Sequence, residues 1–184
     1  MGTIKATNIE PIADNGTVTL GSSGDTFALG SGVKQSNLMD PAFLAYLSSS
    51  YEVSNNVITK VNCDTEIYDT DNCYDNSSNY RFTPTKAGKY FVYINLCGET
   101  NAYKLYFMRV KLYKNGSQEV SSLNFINPDN IQRMHAQLQF VVDMNGSSDY
   151  LEMYGHIDIH TNGTEQFLGG SDKRTYFGAY RIGS

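Results

Sequence analysis

Tyr80-Arg-Phe-Thr-Pro-Thr-Lys-Ala-Gly88-Lys-Tyr90-Phe-Val-Tyr-Ile94 is the stretch that decides the fold of this 184-residue chain. It holds two strand-like runs, Tyr80–Thr83 and Lys89–Leu96, separated by a short turn containing Pro84 and Gly88. The pattern continues in both directions. Upstream lie Ala42–Leu47 and Val57–Val61; downstream lie Tyr103–Tyr113, Ala136–Val142, Tyr150–His160 and Thr175–Ile182. Turn signals punctuate the runs at Lys114-Asn115-Gly116, Met144-Asn145-Gly146 and Thr161-Asn162-Gly163. Asn-Gly suits two-residue hairpins because both positions tolerate positive φ. Only Gln132–Gln137 reads as a helical turn. About eight strands with regular turns predict an all-β sandwich, jelly roll or barrel.

Composition agrees. Fourteen Tyr and sixteen Gly favour strands and tight turns over helix, and 40% hydrophobic content is enough for a core. The formal charge of -5 and the absence of any Lys/Arg cluster exclude a phosphate-neutralising face, so no nucleic-acid partner is expected. No apolar run reaches membrane-span length, and the opening MGTIKATNIEP lacks the hydrophobic stretch of a signal peptide. A chain made in a cytoplasm, without membrane insertion, is expected. Cys63, Cys73 and Cys97 are an odd set without CxxC spacing, which argues against a disulfide framework and a structural zinc. A Cys63–Cys73 bridge is conceivable, but reduced thiols are expected.

Two strands resolve into faces. In Tyr150–His160, Leu151, Met153, Gly155, Ile157 and Ile159 share one side, opposite Tyr150, Glu152, Tyr154, His156, Asp158 and His160. In Tyr103–Tyr113, Tyr106, Met108, Val110 and Leu112 share a side, opposite Leu105, Phe107, Arg109, Lys111 and Tyr113. Large aromatics turned away from a core are what a subunit interface uses.

Residues 1–32 differ from the rest. Thr17-Val-Thr-Leu-Gly21 returns as Thr26-Phe-Ala-Leu-Gly30, with the turn signal Ser22-Ser-Gly-Asp25 between the copies. Each copy is one short strand, too small to bury a face alone. The segment reads as an attachment arm or slim stalk whose apolar residues are Ile4, Ile9, Val18, Leu20, Phe27 and Leu29, with a floppy terminus as the plainer alternative. Gly30-Ser-Gly32 is its hinge, and residues 33–184 are the head domain.

Residues 41–184 resemble the complement C1q globular-head family. The likeness rests on Tyr80 to Ile94 above, on Leu112-Tyr-Lys-Asn-Gly116, on Asp149-Tyr-Leu-Glu-Met, on Thr175-Tyr-Phe-Gly178-Ala-Tyr180 and on Pro41-Ala-Phe43-Leu-Ala45-Tyr, all in the family's order. It implies a ten-strand jelly roll related to tumour necrosis factor, assembled as a tight homotrimer, here with a short extended N-terminal β arm. It also implies that the strands Tyr103–Tyr113 and Tyr150–His160 face the three-fold axis, with Phe107, Arg109, Lys111, Tyr113, Tyr154, His156 and Asp158 at the subunit interface. The chain departs from animal members in lacking a collagen-like stalk and a secretion signal. Its N-terminal repeat looks like the arms of tailed-phage fibres and capsid decoration proteins. The expected setting is therefore a phage virion assembled in the host cytoplasm.

Two constellations invite metal chemistry. His156 and His160 lie on one side of one strand, about 13 Å apart by strand rise, so each would need its own three-fold ring to hold a transition metal. The plainer reading is a polar face, with Asp158 paired to Arg109 or Lys111. The acidic stretch Asp64, Glu66, Asp69, Asp71 and Asp75 offers oxygens for calcium, with Asp69 and Asp71 central, or is simply a solvated loop. Nucleophile motifs and phosphate-cradling loops are missing, so no enzyme is expected. The sequence thus predicts a trimeric fibre or knob, bound to other virion proteins through residues 1–32 and touching a host-surface glycan or protein. A capsid decoration protein is the alternative, and a glycan-cleaving enzyme is the outsider.

Overall fold

In the computed structural model the described residues are 39–101, 103–126, 130–160 and 163–183, together with 9, 18, 19, 21–23, 25, 26 and 31. The chain divides into two compact units, Met1–Ser36 and Asn37–Ser184. In the first unit the turn at Ser22 to Asp25 is present: Ser22 N–H donates to the Asp25 carboxylate (2.6 Å) and Asp25 N–H to Ser22 O (3.0 Å). Ile9 and Val18 are exposed. Ile4, Leu20, Phe27, Leu29 and the expected boundary after Gly32 lie outside the described residues.

The second unit is all strand and turn. Its strands are β1 (Ala42–Tyr46), β2 (Tyr51–Val53), β3 (Thr59–Lys60), β4 (Thr65–Asp69), β5 (Tyr74–Asp75), β6 (Arg81–Phe82), β7 (Ala87–Thr100), β8 (Leu105–Lys114), β9 (Ser117–Phe125), β10 (Arg133–Asn145), β11 (Leu151–Ile159), β12 (Glu165–Phe167) and β13 (Tyr176–Gly183). All pair antiparallel in two sheets. In the first, β7 pairs β10 on one side; on its other side it pairs β13 and then β12, leading on to β1 and β4 and to β2. The second runs β5-β6-β11-β8-β9, with β3 also on β11. Apart from the β8–β9 hairpin, successive long strands alternate between the sheets, and this is the jelly-roll connection.

Thirteen strands are found among the described residues where ten are expected. The excess comes from segments of two or three residues: β3, β6 and β12 lie on long strands, and β5 and β2 pair in turn with β6 and β12. Val57–Val61 shortens to β3. Gln132–Gln137 is not a helical turn: from Arg133 it belongs to β10, zipped to β7 from Arg133↔Glu99 to Asn145↔Ala87. The β8–β9 connection is the two-residue hairpin the sequence predicts. Lys114 pairs with Ser117, and Asn115 and Gly116 take φ of 52° and 77°.

The core forms where the inward faces meet. β7 contributes Tyr90, Val92, Ile94 and Leu96, β8 contributes Met108, Val110 and Leu112, and β11 contributes Leu151, Met153, Ile157 and Ile159. At one end Phe43 stacks on Tyr74 and on Phe82 (both 4.5 Å between centroids) and meets Phe177 edge-on at 4.9 Å. Each such pair is worth about 0.5–1.5 kcal/mol beyond its buried area. The faces of β11 match the alternation read from sequence; those of β8 do not match throughout. Asp158 pairs with Phe107 but Ile159 with Leu105, so the ladder slips at Tyr106. The slip puts Leu105 in the core and leaves Tyr106 against Phe125 and His160. All three cysteines are buried and free.

Candidate functional surfaces

Both sheets turn a face away from the core, and the two faces differ in chemistry. On the first sheet, cross-strand register brings distant residues together. Leu44, Gly178, Tyr93 and Gln139 form one row across β1, β13, β7 and β10. Ala42, Tyr180, Phe91 and Val141 form the next. Tyr93 anchors the face. Its ring centroid lies 6.2 Å from Tyr180, 6.3 Å from Tyr176 and 6.4 Å from Phe91, and its hydroxyl meets that of Tyr68 at 3.0 Å. Burial, then the Tyr68 hydroxyl, push the Tyr93 phenol well above its ordinary pKa. Leu44, Ile67, Tyr93, Lys173 and Tyr176 line a recess of about 300 Å³. Ile67, Tyr68, Val141 and Ile182 are each 40% exposed or more. Charged pairs stand at the margin, Lys89–Asp143 at 2.7 Å and Arg133 on Glu99. At one end Asn95 Nδ2 reaches His135 Nδ1 (3.0 Å) and Arg174 O, while its Oδ1 is buried without a partner.

The second sheet's outer face gathers all seven residues that the sequence assigns to an interface. Register sets Tyr154 beside Lys111, His156 beside Arg109 and Asp158 beside Phe107. The Tyr113 and Tyr154 rings pack at 4.3 Å, Phe107 meets His156 edge-on at 4.8 Å, and the Arg109 guanidinium stands 5.8 Å from the Phe107 centroid. Lys60 pairs with Glu152 at 2.6 Å. The expected pairing of Asp158 to Arg109 or Lys111 is not formed. Lys111 is only 5% exposed and has no ion pair among the described residues. Burial, then Arg109, lower its pKa. The His156 ring meets Asn56 Oδ1 through Nε2 at 2.8 Å, while His156 Nδ1 and Arg109 Nε are buried without partners. Burial lowers the His156 pKa against the opposing Asn56 bond, with Lys111 and Arg109 adding to the lowering.

The acidic stretch does not gather into a cation cage. Asp64 accepts from Ser48 N–H (2.8 Å), Asp69 from Tyr74 N–H (2.7 Å), and Asp71 pairs with Lys86 (3.3 Å). Asp75 accepts N–H bonds from Ser77, Ser78 and Asn79 at 2.9–3.1 Å. Asp69 and Asp75 close local turns, while Asp64 and Asp71 tie the stretch to Ser48 and Lys86. His160 packs against Tyr106, with ring centroids 3.9 Å apart. Among the described residues no three His, Cys, Asp or Glu side chains come together to hold a metal. The sequence reading missed the first sheet's aromatic face, although its signal was present: Phe91 and Tyr93 alternate with the core residues Tyr90, Val92 and Ile94.

No family model and no curated protein matches the chain. Solved structures do. The globular domain of a zebrafish complement 1qA protein aligns over 78% of this chain and 98% of its own, at 11% identity and a TM-score of 0.55. The Eiger tumour necrosis factor of S. frugiperda covers 78% and 92%, at 9% identity and 0.55. Murine APRIL covers 77% and 99%, at 11% identity and 0.54. At these identities the likeness shows the fold, a two-sheet jelly roll of the complement C1q and tumour necrosis factor type.

Proposed function

We propose that the chain is a non-enzymatic structural and binding module, a homotrimeric jelly-roll head held to a phage virion through residues 1–32 as an accessory fibre or knob. The observation that carries the self-association is the aromatic face of the first sheet. Tyr68, Phe91, Tyr93, Tyr176 and Tyr180 adjoin there, with ion pairs at the margin and the single cation Lys173 in the recess, which is close to the anatomy of an interface core inside a polar rim. The three-fold number comes from the family that the sequence resembles, and a closed ring buries one such face per subunit.

On this reading the interface is the outer face of the first sheet, in place of the face that the sequence assigns. Burying Phe107, Arg109, Lys111, Tyr113, Tyr154, His156 and Asp158 around an axis would gather three copies each of Arg109 and Lys111, which have no ion pair among the described residues, against only three Asp158 carboxylates, and dehydrated excess charge of one sign costs several kcal/mol. The virion setting rests on the N-terminal repeat. Sedimentation of the purified full chain tests the assembly: three times the chain mass is expected, and a stable monomer overturns it. Copy number per particle tests the setting, since few copies fit a fibre and hundreds fit a shell-decoration protein.

A further inference from the structure

We propose that the outer face of the second sheet, centred on Arg109, Lys111 and His156, binds the carboxylate of an acidic sugar. This deepens the binding role above and rests on that reading only in requiring that this face point away from the axis.

Three polar groups converge by register in the middle of a sheet, and among the described residues they make one hydrogen bond, from His156 Nε2 to Asn56 Oδ1. Lys111 and Arg109 are two residues apart on β8, and His156 faces Arg109 across the ladder. Arg109 Nε and His156 Nδ1 are buried with no hydrogen bond, and Lys111, 5% exposed over the whole residue, has no ion pair among the described residues. A buried donor left unpaired, and a partly dehydrated cation without an opposite charge, each cost free energy that a stability-driven sequence would remove. Groups kept at such cost are a mark of sites where binding outweighs stability. The neighbouring Lys60 shows the contrast, because its Nζ pairs with Glu152 at 2.6 Å and donates to Asn79 O at 3.1 Å.

The donors fix the ligand's charge and size. Two cations within one patch suit a single small anion, while His156, whose Nε2–H is spent on Asn56 Oδ1, bounds the patch without donating to the ligand. A long polyphosphate is opposed by the chain's net charge of -5. A guanidinium held over an aromatic ring presents a planar fork, and that geometry fits a carboxylate. Flanking the donors, the Tyr113–Tyr154 pair at 4.3 Å offers an apolar wall on one side. Phe125 and Leu123, 58% and 43% exposed, offer another on β9. Rings beside a cationic centre match a molecule with a flat apolar surface and one carboxylate, which a uronic or sialic-type sugar supplies. Asp158 stands on the same face without an ion pair among the described residues, so its charge opposes the ligand.

The test is calorimetric titration of the full chain at pH 7 and low salt with an oligogalacturonate, its neutral galactose counterpart, and a sulfated oligosaccharide. Binding of the carboxylate sugar, weakened by added salt and absent for the neutral one, is expected. Arg109→Gln and Lys111→Met should each weaken it by about tenfold or more. Lys111→Met should leave the melting temperature unchanged or higher, an outcome that separates a ligand-binding lysine from a structural one. Asp158→Asn should tighten binding. The proposal is overturned by no binding of the oligogalacturonate, by equal binding of the neutral sugar, by preference for the sulfated one, or by variants that bind as the parent does. Sedimentation of each variant keeps the site separate from the axis: loss of binding at unchanged oligomeric mass concerns this site alone.

Discussion

Tyr93 lies across Gly178, so close that a methyl carbon placed on Gly178 would come within 2.4 Å of the tyrosine ring. The glycine leaves a gap in the outer face of β13, and the ring from β7 fills it. From there Tyr93 reaches Tyr68 on β4, so one side chain ties three of the sheet's strands on its solvent side. Gly178→Ala therefore has to displace Tyr93. A loss of about 1–3 kcal/mol in unfolding free energy is expected, as for overpacking elsewhere, read as a lower denaturant midpoint. Association should weaken with it, because the displaced ring is the centre of the proposed interface.

The two outer faces make opposite predictions for one kind of substitution. Tyr93→Glu or Tyr180→Glu places a carboxylate in the aromatic patch of the first sheet, and sedimentation should show a shift from trimer toward monomer. Tyr154→Glu places one on the second sheet, and the mass should not change. A trimer split by Tyr154→Glu and untouched by Tyr93→Glu would return the axis to the sheet built from β8 and β11.

That choice marks the limit of what the sequence reveals. Alternation along β11 assigns Leu151, Met153, Ile157 and Ile159 to the core correctly, because a residue's face depends only on its neighbours in the chain. The same rule fails at Tyr106 and Leu105, where a slip in pairing with β11 reverses the faces and no local signal announces it. β9 escapes because Ser117-Gln-Glu-Val-Ser-Ser is polar almost throughout; it is a strand through its ladder to β8. The aromatic face is harder still. Tyr68, Tyr93 and Tyr180 are far apart in the chain and become one surface only through registers across β4, β1, β13 and β7. The seven residues of β8 and β11 are legible as a group, since adjacent strands of opposite direction need one register. That Arg109 and Lys111 form no ion pair among the described residues is visible only in the folded chain.

Acid should loosen the loop after β5 in a defined direction. Asp75 accepts N–H bonds from Ser78, Ser77 and Asn79, and these hold its carboxyl well below the ordinary value of 3.8. The unfolded chain then binds the proton more readily than the folded one, so stability from this group is present above pH 3.8 and is lost as pH falls through the lower folded value. Asp75 is solvent-facing, which keeps the effect modest. Thermal melts of the parent and Asp75→Asn should differ at pH 6 and converge as the pH drops below about 3. A gap that persists or widens in acid would assign the loop's order to other contacts.

The aromatic end of the core sets how much damage one truncation does. Phe43 is fully buried and touches Tyr74, Phe82 and Phe177, which come from three different strands and both sheets. Phe43→Ala removes the common partner and leaves a cavity between rings that cannot close without moving β5, β6 or β13. A cost of about 3–5 kcal/mol is expected, a large share of a domain's usual margin. Phe43→Leu keeps most of the volume and should cost far less. Equal denaturant midpoints for the two variants would mean that ring stacking, more than filled space, holds this end of the sandwich together.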